Sequence, residues 1–359
     1  STPQPERALA VLAQAEGPAL AGQMAGELAR IHAIRGNIHF PAGRLEDCLA
    51  AHRQALVWAR QAGRATAEAG ALVGLAWAHY QKGEFAAADA QASQCLAMAE
   101  GPVFDRIRLS ALRVRGVSRV FLLRHDAAEG DARQAIALAV AQADSFNEVL
   151  ARTTLGTICL ERGHGEAAWD AVEPAVALAE SGNGMGIAAA PLWVLGAAAS
   201  ALGRRDEAVA LLGRAREACG HPAIRFGLPR ILGTLSCLVP PAERAALIDE
   251  GAALLDRMGA AHSAFGLWAA AMQAALAFGE HELLDRCIAG FERFAGDDPA
   301  PWPAMMMALC RRYGALSRMP RDDEVRRDAL AFRAMVQGRP ELAWLQPSMR
   351  AVEARVGLD

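Results

Sequence analysis

The sequence contains almost no lysine. Of its 37 basic residues, only Lys82 is a lysine, and the others are arginines. Alanine and glycine are also abundant, so we interpret this skew as a bias of GC-rich coding. The formal net charge is −3, which gives no overall attraction to nucleic acid or to anionic lipid. We therefore expect no nucleic-acid or membrane partner.

The chain also lacks paired cysteines and long apolar runs. Its seven cysteines are far apart and never form a CxxC pair, which is typical of reduced thiols in a cytoplasmic protein. The alanine-rich segment 187–202 comes nearest to a membrane span, but Pro191 and Gly196 favour a buried helix. No secretory signal opens the chain, and its first residues, Ser1-Thr2-Pro3, suggest a fragment of a longer protein.

Motifs of common enzymes are absent as well. The sequence has no GxxxxGK[ST] phosphate loop, and its single lysine is followed by Gly83 and Glu84. No serine lies in a GxSxG nucleophile elbow, and no strand is predicted. We therefore expect a protein that is not an enzyme and that has no cofactor.

What the chain does contain is a repeat. The stretch from Arg30 to Arg60 has the apolar periodicity of two amphipathic helices joined by a tight turn at Gly43. Similar stretches follow at a period near forty residues, a signature of a helical solenoid. The corresponding turn positions are assigned to Gly43, Gly83, His125, Gly163 and Gly203.

The repeat divides the chain into hairpins. A short helix is predicted over 5–15. The first helices are predicted over 18–41, 67–82, 103–123, 145–162 and 190–202, and the second helices over 45–62, 85–100, 127–143, 165–180 and 206–218. Looser helices are predicted over 223–238, 242–257, 262–278, 281–294, 303–317, 322–336 and 341–356. The longest irregular connection, 181–186, is expected to be mobile.

Small residues recur at two places in these hairpins. Seven residues before the turn stand Ala76, Gly156 and Gly196, and five after it stand small residues such as Cys48 and Ala168. Small side chains there let paired helices approach closely, which is typical of tetratricopeptide (TPR) hairpins. We predict an all-α, TPR-like solenoid with a right-handed superhelix and repeats of about forty residues. Its regular repeats occupy 1–220, and degenerate repeats continue over 221–359.

Several stretches of the sequence resemble a known kind of protein region. RIHAIRGNIHFPAGRLEDCLAAH, RQALVWARQAG and EAGALVGLAWAHYQKGEF resemble the C-terminal TPR region of multidomain signalling proteins with a class III adenylate/guanylate cyclase and an AAA/STAND ATPase domain. The later stretches GLPRILGTLSCLVPPAERAALIDEGAALL and FERFAGDDPAPWPAMM resemble the end of that region. The resemblance departs at Arg124-His125, where a glycine is usual. It implies an interaction or sensor module that itself has neither cyclase nor ATPase activity.

One group of residues suggests a metal site. Cys48 and His52 are four apart on one helix face, His39 lies on the partner helix, and His79 repeats the position of His39. In the repeat frame, however, the histidines occupy ring-packing positions and Cys48 occupies a small-residue position. We favour buried packing residues and predict no metal.

The concave face lined by first helices is the place where such arrays bind partners. Aromatic and arginine side chains favour protein recognition, and Arg115 with Arg119 could clamp an acidic group. The predicted groove residues are Asn37, Phe40, Val73, Trp77, Tyr80, Gln81, Arg115, Arg119, Thr153, Thr157, Trp193 and Arg230.

Two functions fit this reading. The favoured one is binding of a peptide segment or partner domain, from another protein or from the same one, in the groove. The alternative is a small-molecule effector-sensing domain of a STAND-type transcription regulator. A long open groove would favour a peptide, whereas a closed apolar cavity with convergent polar groups would favour an effector.

Overall fold

The protein is all-α, as predicted. The computed structural model describes residues 4–181, 187–219, 227–258, 261–296 and 299–358, and these contain eighteen α-helices and no strand. Helices α1–α9 span Gln4–Ala21, Ala25–His39, Leu45–Gln61, Ala65–Lys82, Phe85–Met98, Asp105–Phe121, His125–Ala141, Ser145–Glu161 and Gly165–Ser181. Helices α10–α18 span Ala189–Ala201, Arg205–Ala218, Leu228–Ser236, Pro241–Met258, Ala261–Phe278, His281–Ala295, Pro301–Arg318, Asp323–Gln337, Gln346–Val356. Short 3-10 segments, Pro102–Phe104 and Pro340–Leu345, precede α6 and α18.

Most of the helices follow a register of twenty residues. Eight successive helices, α2 to α9, begin at positions that differ by twenty: Ala25, Leu45, Ala65, Phe85, Asp105, His125, Ser145 and Gly165. A helix of about seventeen residues and a turn of about three therefore form the unit, and two units form the forty-residue hairpin. The same spacing returns in α13 to α16, which begin at Pro241, Ala261, His281 and Pro301.

The turns explain the register. Gly43, Gly83, Gly163 and Gly203 all have positive φ angles, the left-handed conformation that ends a helix and that favours glycine. In the third hairpin the left-handed residue is Leu123, with φ of 56°, and His125 is already the first residue of α7. The assignment of His125 to the turn was therefore wrong by two residues, because a leucine occupies a conformation that is usually taken by glycine.

The same rule corrects the first helix boundary. The sequence predicted one helix over 18–41, but α1 continues to Ala21 and α2 begins at Ala25. Gln23 between them has φ of 52° and plays the turn role that Gly63 plays one hairpin later. Two other predictions, the mobile connection over 182–186 and the beginning of the helix over 223–238, fall on residues outside those described.

The chain divides into two compact units, residues 1–118 and 119–359. In the first unit α3 packs between α2 and α4, and α5 packs against α4. In the second unit α8 pairs with α9, α10 with α11, α12 with α13 and α14 with α15, and successive pairs contact each other. The proposed difference between regular repeats to 220 and degenerate repeats beyond it stays a prediction.

Small residues make this packing possible. A Cβ atom on Gly156 would lie 2.2 Å from Val172 Cγ2, and one on Gly196 would lie 2.6 Å from Leu212 Cγ. Ala168, opposite Gly156 in its hairpin, is fully buried. Helix pairs at this distance leave no room for a methyl group, so the sequence-predicted small positions are packing positions.

Candidate functional site

A cavity of about 200 Å³ opens on the first unit. It lies among the first helices α2, α4 and α6, with one wall residue from the second helix α3. Its lining residues are Asn37, Phe40, His52, Gly70, Val73, Gly74, Trp77 and Ser110. Four of these, Asn37, Phe40, Val73 and Trp77, are among the predicted groove positions.

The spacing of these residues follows from helix geometry. Gly70, Gly74 and Trp77 are four and three residues apart on α4, so they lie on one face of that helix. Asn37 and Trp77 are forty residues apart and occupy the same position in successive hairpins. The cavity is thus formed where equivalent faces of successive first helices meet.

His52 forms the innermost polar part of the wall. Its side chain reaches from α3 into the space left by two glycines: a Cβ atom on Gly36 would lie 2.5 Å from His52 Nε2, and one on Gly74 would lie 2.4 Å from His52 Nδ1. The residue is only 3% exposed, and its Nδ1 has no hydrogen-bond partner. Burial lowers the pKa of His52 to about 4, so the imidazole is neutral at physiological pH.

Aromatic rings continue from the cavity along α4. Trp77 contacts Phe40 edge to face at 6.4 Å and Tyr80 at 5.8 Å between ring centroids, and Tyr80 contacts Phe85 at 5.7 Å. The indole of Trp77 is fixed, because its Nε1 donates a hydrogen bond to Ser110 Oγ at 2.9 Å. Phe40 and Trp77 are the half-buried members of this row, whereas Tyr80 is buried. We call these four rings the aromatic row.

The corrected register of the third hairpin changes the arginine assignment. Forty residues after Val73 stands Arg113, and its guanidinium lies 5.3 Å from the centre of the Trp77 ring. Arg115 contacts Ser93 on the second helix α5 at 3.5 Å. The prediction of Arg115 used a turn position two residues too late, and Arg115 does not line the cavity.

Arg119 has a structural partner as well. Its Nη1 donates to Oδ2 of Asp131 on the second helix α7 at 2.7 Å, and Asp131 is 2% exposed. A buried carboxylate of this kind is stabilised by its cation, so Arg119 has a structural role at this contact. The acidic clamp by Arg115 and Arg119 stays a prediction, and neither residue lines the cavity.

The other predicted groove residues are engaged within their own elements. Gln81 is buried. The hydroxyls of Thr153 and Thr157 donate to carbonyls one turn earlier, those of Val149 and Thr153. These residues contribute packing and local hydrogen bonds and none of them lines the cavity.

Trp193 and Arg230 form a second aromatic and cationic contact in the other unit. The guanidinium of Arg230 lies 4.7 Å from the centre of the Trp193 ring, and Trp193 Nε1 donates to Thr234 Oγ1 at 2.8 Å. This contact joins α10 to α12. It resembles the Arg113 and Trp77 contact, but no lining residue of the cavity belongs to it.

The second unit brings its own C-terminal part against α8. Trp302 Nε1 on α16 donates to Glu161 Oε2 at 2.8 Å, across 141 residues of sequence, and Trp302 stacks on Trp344 with centroids 4.7 Å apart. The segment Pro340–Leu345 also packs on α8. Burial raises the pKa of Glu161 to about 7, against the opposing influences of the hydrogen bond from Trp302 and of the Arg230 charge.

The metal hypothesis finds no support in the geometry. In the part of the chain that the structure describes, no three His, Cys, Asp or Glu side chains are placed to hold one ion. His79 Nδ1 bonds with Glu84, and burial raises the pKa of the Cys48 thiol to about 12. Cys48 is thus a buried, neutral thiol, and His79 is a half-buried residue held by Glu84.

Sequence reasoning missed three members of the cavity wall and misjudged one. Gly70, Gly74 and Ser110 carried no motif, and His52 was considered only as a metal ligand or a packing ring. One signal was available: α4 contains two glycines one turn apart, and glycine inside a helix is costly unless something approaches its backbone. For Gly74 that neighbour is the imidazole of His52.

Comparison with solved structures identifies the fold. The crystal structure of the apo form of RapI has a TM-score of 0.58 and 11% identity, and the match covers 79% of this chain and 98% of that one. A Rap protein complexed with competence and sporulation factor has a TM-score of 0.53 and 11% identity, and the match covers 92% of this chain and 99% of that one. The Rap conjugation gene regulator of plasmid pLS20 in complex with the Phr* peptide has a TM-score of 0.57 and 14% identity, and the match covers 74% of each chain. The fold is a TPR-like helical solenoid.

No protein-family model matches the chain, and no curated protein sequence is significantly similar to it. At these identities the structural likeness shows the fold alone. In the described residues no helix is both long and apolar enough to cross a membrane.

Proposed function

We propose that this chain is a non-enzymatic peptide-binding module of a cytoplasmic signalling protein. The observation that carries the proposal is the cavity on the face of α2, α4 and α6, continued by the aromatic row. Aromatic side chains in a concave surface are the usual anchors of protein recognition. Arg113 lies over the Trp77 ring and adds a positive charge beside it.

The structural neighbours support a peptide as the ligand. Two of the three structures compared above are named as complexes, one with competence and sporulation factor and one with the Phr* peptide. The size of the cavity agrees with this choice. Sites for drug-sized ligands usually measure roughly 300–1,000 Å³, whereas this one measures about 200 Å³. It suits part of an extended ligand better than a whole effector molecule.

The proposed signalling context rests on sequence resemblance. The resemblance to TPR regions of cyclase and STAND ATPase proteins supports a regulatory role, in which the peptide segment belongs to a partner or to another domain of the same protein. The alternative, effector sensing in a STAND-type regulator, would use the same face with a small molecule. We favour the peptide because the cavity is small and open.

The test is a selection of random dodecapeptides displayed on phage against the purified chain, followed by isothermal titration with the enriched peptides. We expect binding that is lost when Phe40 and Trp77 are both changed to alanine. The matched control changes Phe278, an exposed ring on α14 outside the candidate site, to alanine. Failure to enrich any peptide, or equal binding to both variants, would contradict the proposal.

A further inference from the structure

We propose that α1 and α2 form an open groove that takes one further α-helix, with glycine or alanine where that helix approaches them most closely. The helix belongs to the same protein and directly precedes Ser1. None of the groove residues lines the cavity of the candidate site, so this surface is independent of the proposed function. The groove residues are Ala8, Val11, Leu12 and Ala15 on α1 and Ile34 on α2.

Helix α1 has the register of a second helix. Its residues stand forty positions before those of α3, so Leu12 corresponds to His52 and Ala15 to Ala55. Ala15 is exposed, and Val11 is 63% exposed. In the five later second helices the counterparts of Ala15 are at most 1% exposed: Ala55, Cys95, Ala135, Ala175 and Ala215. The face of α1 that is buried in those helices is therefore open.

Helix α2 supplies the second wall of the groove. Ile34 is 41% exposed, whereas its counterparts in three later first helices, Val114, Thr154 and Val194, are buried. The neighbour of Val194 shows what covers this position. A Cβ atom on Gly156, in the preceding first helix α8, would lie 2.9 Å from Val194 Cγ1. Ile34 is thus exposed at a position where a preceding first helix packs in a later hairpin.

The contacts of α8 show how a helix fills such a groove. A Cβ atom on Gly156 would also lie 2.2 Å from Val172 Cγ2 on α9. Leu12 and Ile34 occupy the positions of Val172 and Val194 four repeats earlier. Both are large aliphatic side chains, so a helix between them needs a small residue at the place of Gly156. The other first helices have glycine or alanine at this place, namely Gly36, Ala76, Gly116 and Gly196.

The direction of the chain identifies the source of the helix. In the fourth hairpin the first helix α8 ends at Glu161 and its second helix α9 begins at Gly165, so a short turn joins them. Because α1 is a second helix, the first helix that pairs with it directly precedes it in the chain. The five groove residues carry no charge, so this helix presents an apolar face, as an amphipathic helix does.

The experiment adds such a helix to the chain in the same register. A copy of residues 145–164, which comprise α8 and its turn, replaces the residues before Pro5, so the copied glycine stands sixteen residues before Leu12. We expect amide hydrogen exchange in residues 8–19 of α1 to slow by at least about tenfold relative to the parent chain. The melting temperature should rise by about 3 °C or more.

The matched control carries Gly156→Leu in the added copy alone, which places a large side chain against Leu12 and Ile34. Leucine is the better helix former, so a loss of protection would come from the contact and not from the added helix itself. Exchange in this control should stay within about twofold of the parent chain. Val11→Asp should likewise leave the parent chain within about twofold, because Val11 is exposed there, and should remove the protection in the extended chain.

The outcomes test the groove and the source of its helix separately. Equal protection by the glycine and leucine copies, or protection by neither, would overturn the groove. In the natural sequence that precedes Ser1, an amphipathic helical stretch with glycine or alanine sixteen residues before Leu12 would support the source. Any larger residue there would overturn it. A dimer of the chain in sedimentation velocity that Val11→Asp dissociates would assign the face to a second copy and would also overturn the source.

Discussion

At the scale of single residues, two glycines one turn apart on the same helix have opposite roles. Gly74 leaves room for the His52 ring, because its Cβ would lie 2.3 Å from His52 Cε1. Gly70, four residues earlier, faces open space. The amino-acid sequence gives both positions the same letter, so only their neighbours distinguish a packing requirement from a cavity wall.

We expect alanine at these two positions to change stability in opposite directions. Gly70→Ala should raise the free energy of unfolding by about 0.5–1 kcal/mol, because alanine is the better helix former and nothing opposes its methyl group. Gly74→Ala should lower it by about 1–3 kcal/mol, because the His52 ring must move. Urea denaturation of both variants measures these changes in the free energy of unfolding. Equal shifts would show that His52 does not lie between Gly36 and Gly74.

The buried His52 also predicts a pH dependence. Its pKa is lowered from 6.5 to about 4 in the folded chain. Between these values the unfolded state binds more protons than the native state, so the free energy of unfolding falls as the pH falls through this window. From pH 7 to 4.5, His52 should account for a loss of about 2–3 kcal/mol.

His52→Phe isolates this term. The loss of stability between pH 7 and 4.5, measured by urea denaturation, should be smaller in the variant than in the parent chain by that amount. His262, whose pKa burial lowers to about 3, contributes a loss of the same sign in both proteins and cancels in the comparison. Identical losses in both chains would contradict a buried neutral imidazole at position 52.

At the scale of elements, the turns set the twenty-residue spacing of the helices. From position 23 to position 163, positive φ angles recur about every twenty residues, and three of these places hold Gln23, Leu123 and Ala143 rather than glycine. A residue with a side chain costs about 1–2 kcal/mol in the left-handed conformation. The repeat therefore keeps its geometry where the sequence lacks the usual turn residue, because packing of the flanking helices fixes the backbone there.

Exchanges at two turns should show this strain. Ala143 has φ of 52° and is exposed, so Ala143→Gly should raise the free energy of unfolding by about 0.5–1 kcal/mol. Gly203 has φ of 75° and nothing within 4 Å of a Cβ, so Gly203→Ala should lower it by about 1 kcal/mol through backbone strain alone. Thermal unfolding followed by circular dichroism would measure both. A destabilised Ala143→Gly variant would argue against a left-handed turn residue at position 143.

At the scale of the whole molecule, contacts between distant parts of the sequence separate the second unit from a simple array of hairpins. The bond from Trp302 to Glu161 and the segment Pro340–Leu345 both bring the C-terminal part onto α8. In a simple solenoid each repeat contacts only its neighbours. The second unit is therefore stabilised by a closure, the contact of its C-terminal part with α8, which the repeat periodicity does not predict.

Glu161 makes that closure sensitive to pH. Its pKa is raised from 4.5 to about 7, so the native state binds more protons in this window and the free energy of unfolding falls as the pH rises through it. Glu161→Gln keeps an oxygen acceptor for Trp302 and has no charge. The variant should be more stable than the parent chain by about 1–3 kcal/mol at pH 8 and equally stable at pH 4. Urea denaturation at both pH values tests this, and a gain that is equal at both would exclude the carboxylate as its source.

The sequence by itself determined the helices, the hairpin and most turns. Apolar periodicity and turn glycines are local properties, because a helix and its ending are set by residues within a few positions of each other. Gly156 and Ala168 were predicted as small packing positions for the same reason, and the close contacts around Gly156 confirm this. The error at His125 arose where the local signal failed, since Leu123 is a left-handed residue that no local rule selects.

Tertiary structure alone decided which side chains meet. The placement of Arg115 and Arg119 depended on a frame two residues out of register, and on a helix each residue turns the side chain by about 100°. The cavity joins residues from four helices, and its inner wall is a histidine from α3 that enters between glycines on α2 and α4. Such a neighbourhood depends on how closely the helices pack, which the pattern of one helix does not encode. The bond of Trp302 to Glu161 has the same origin, because no periodicity relates residues 141 positions apart.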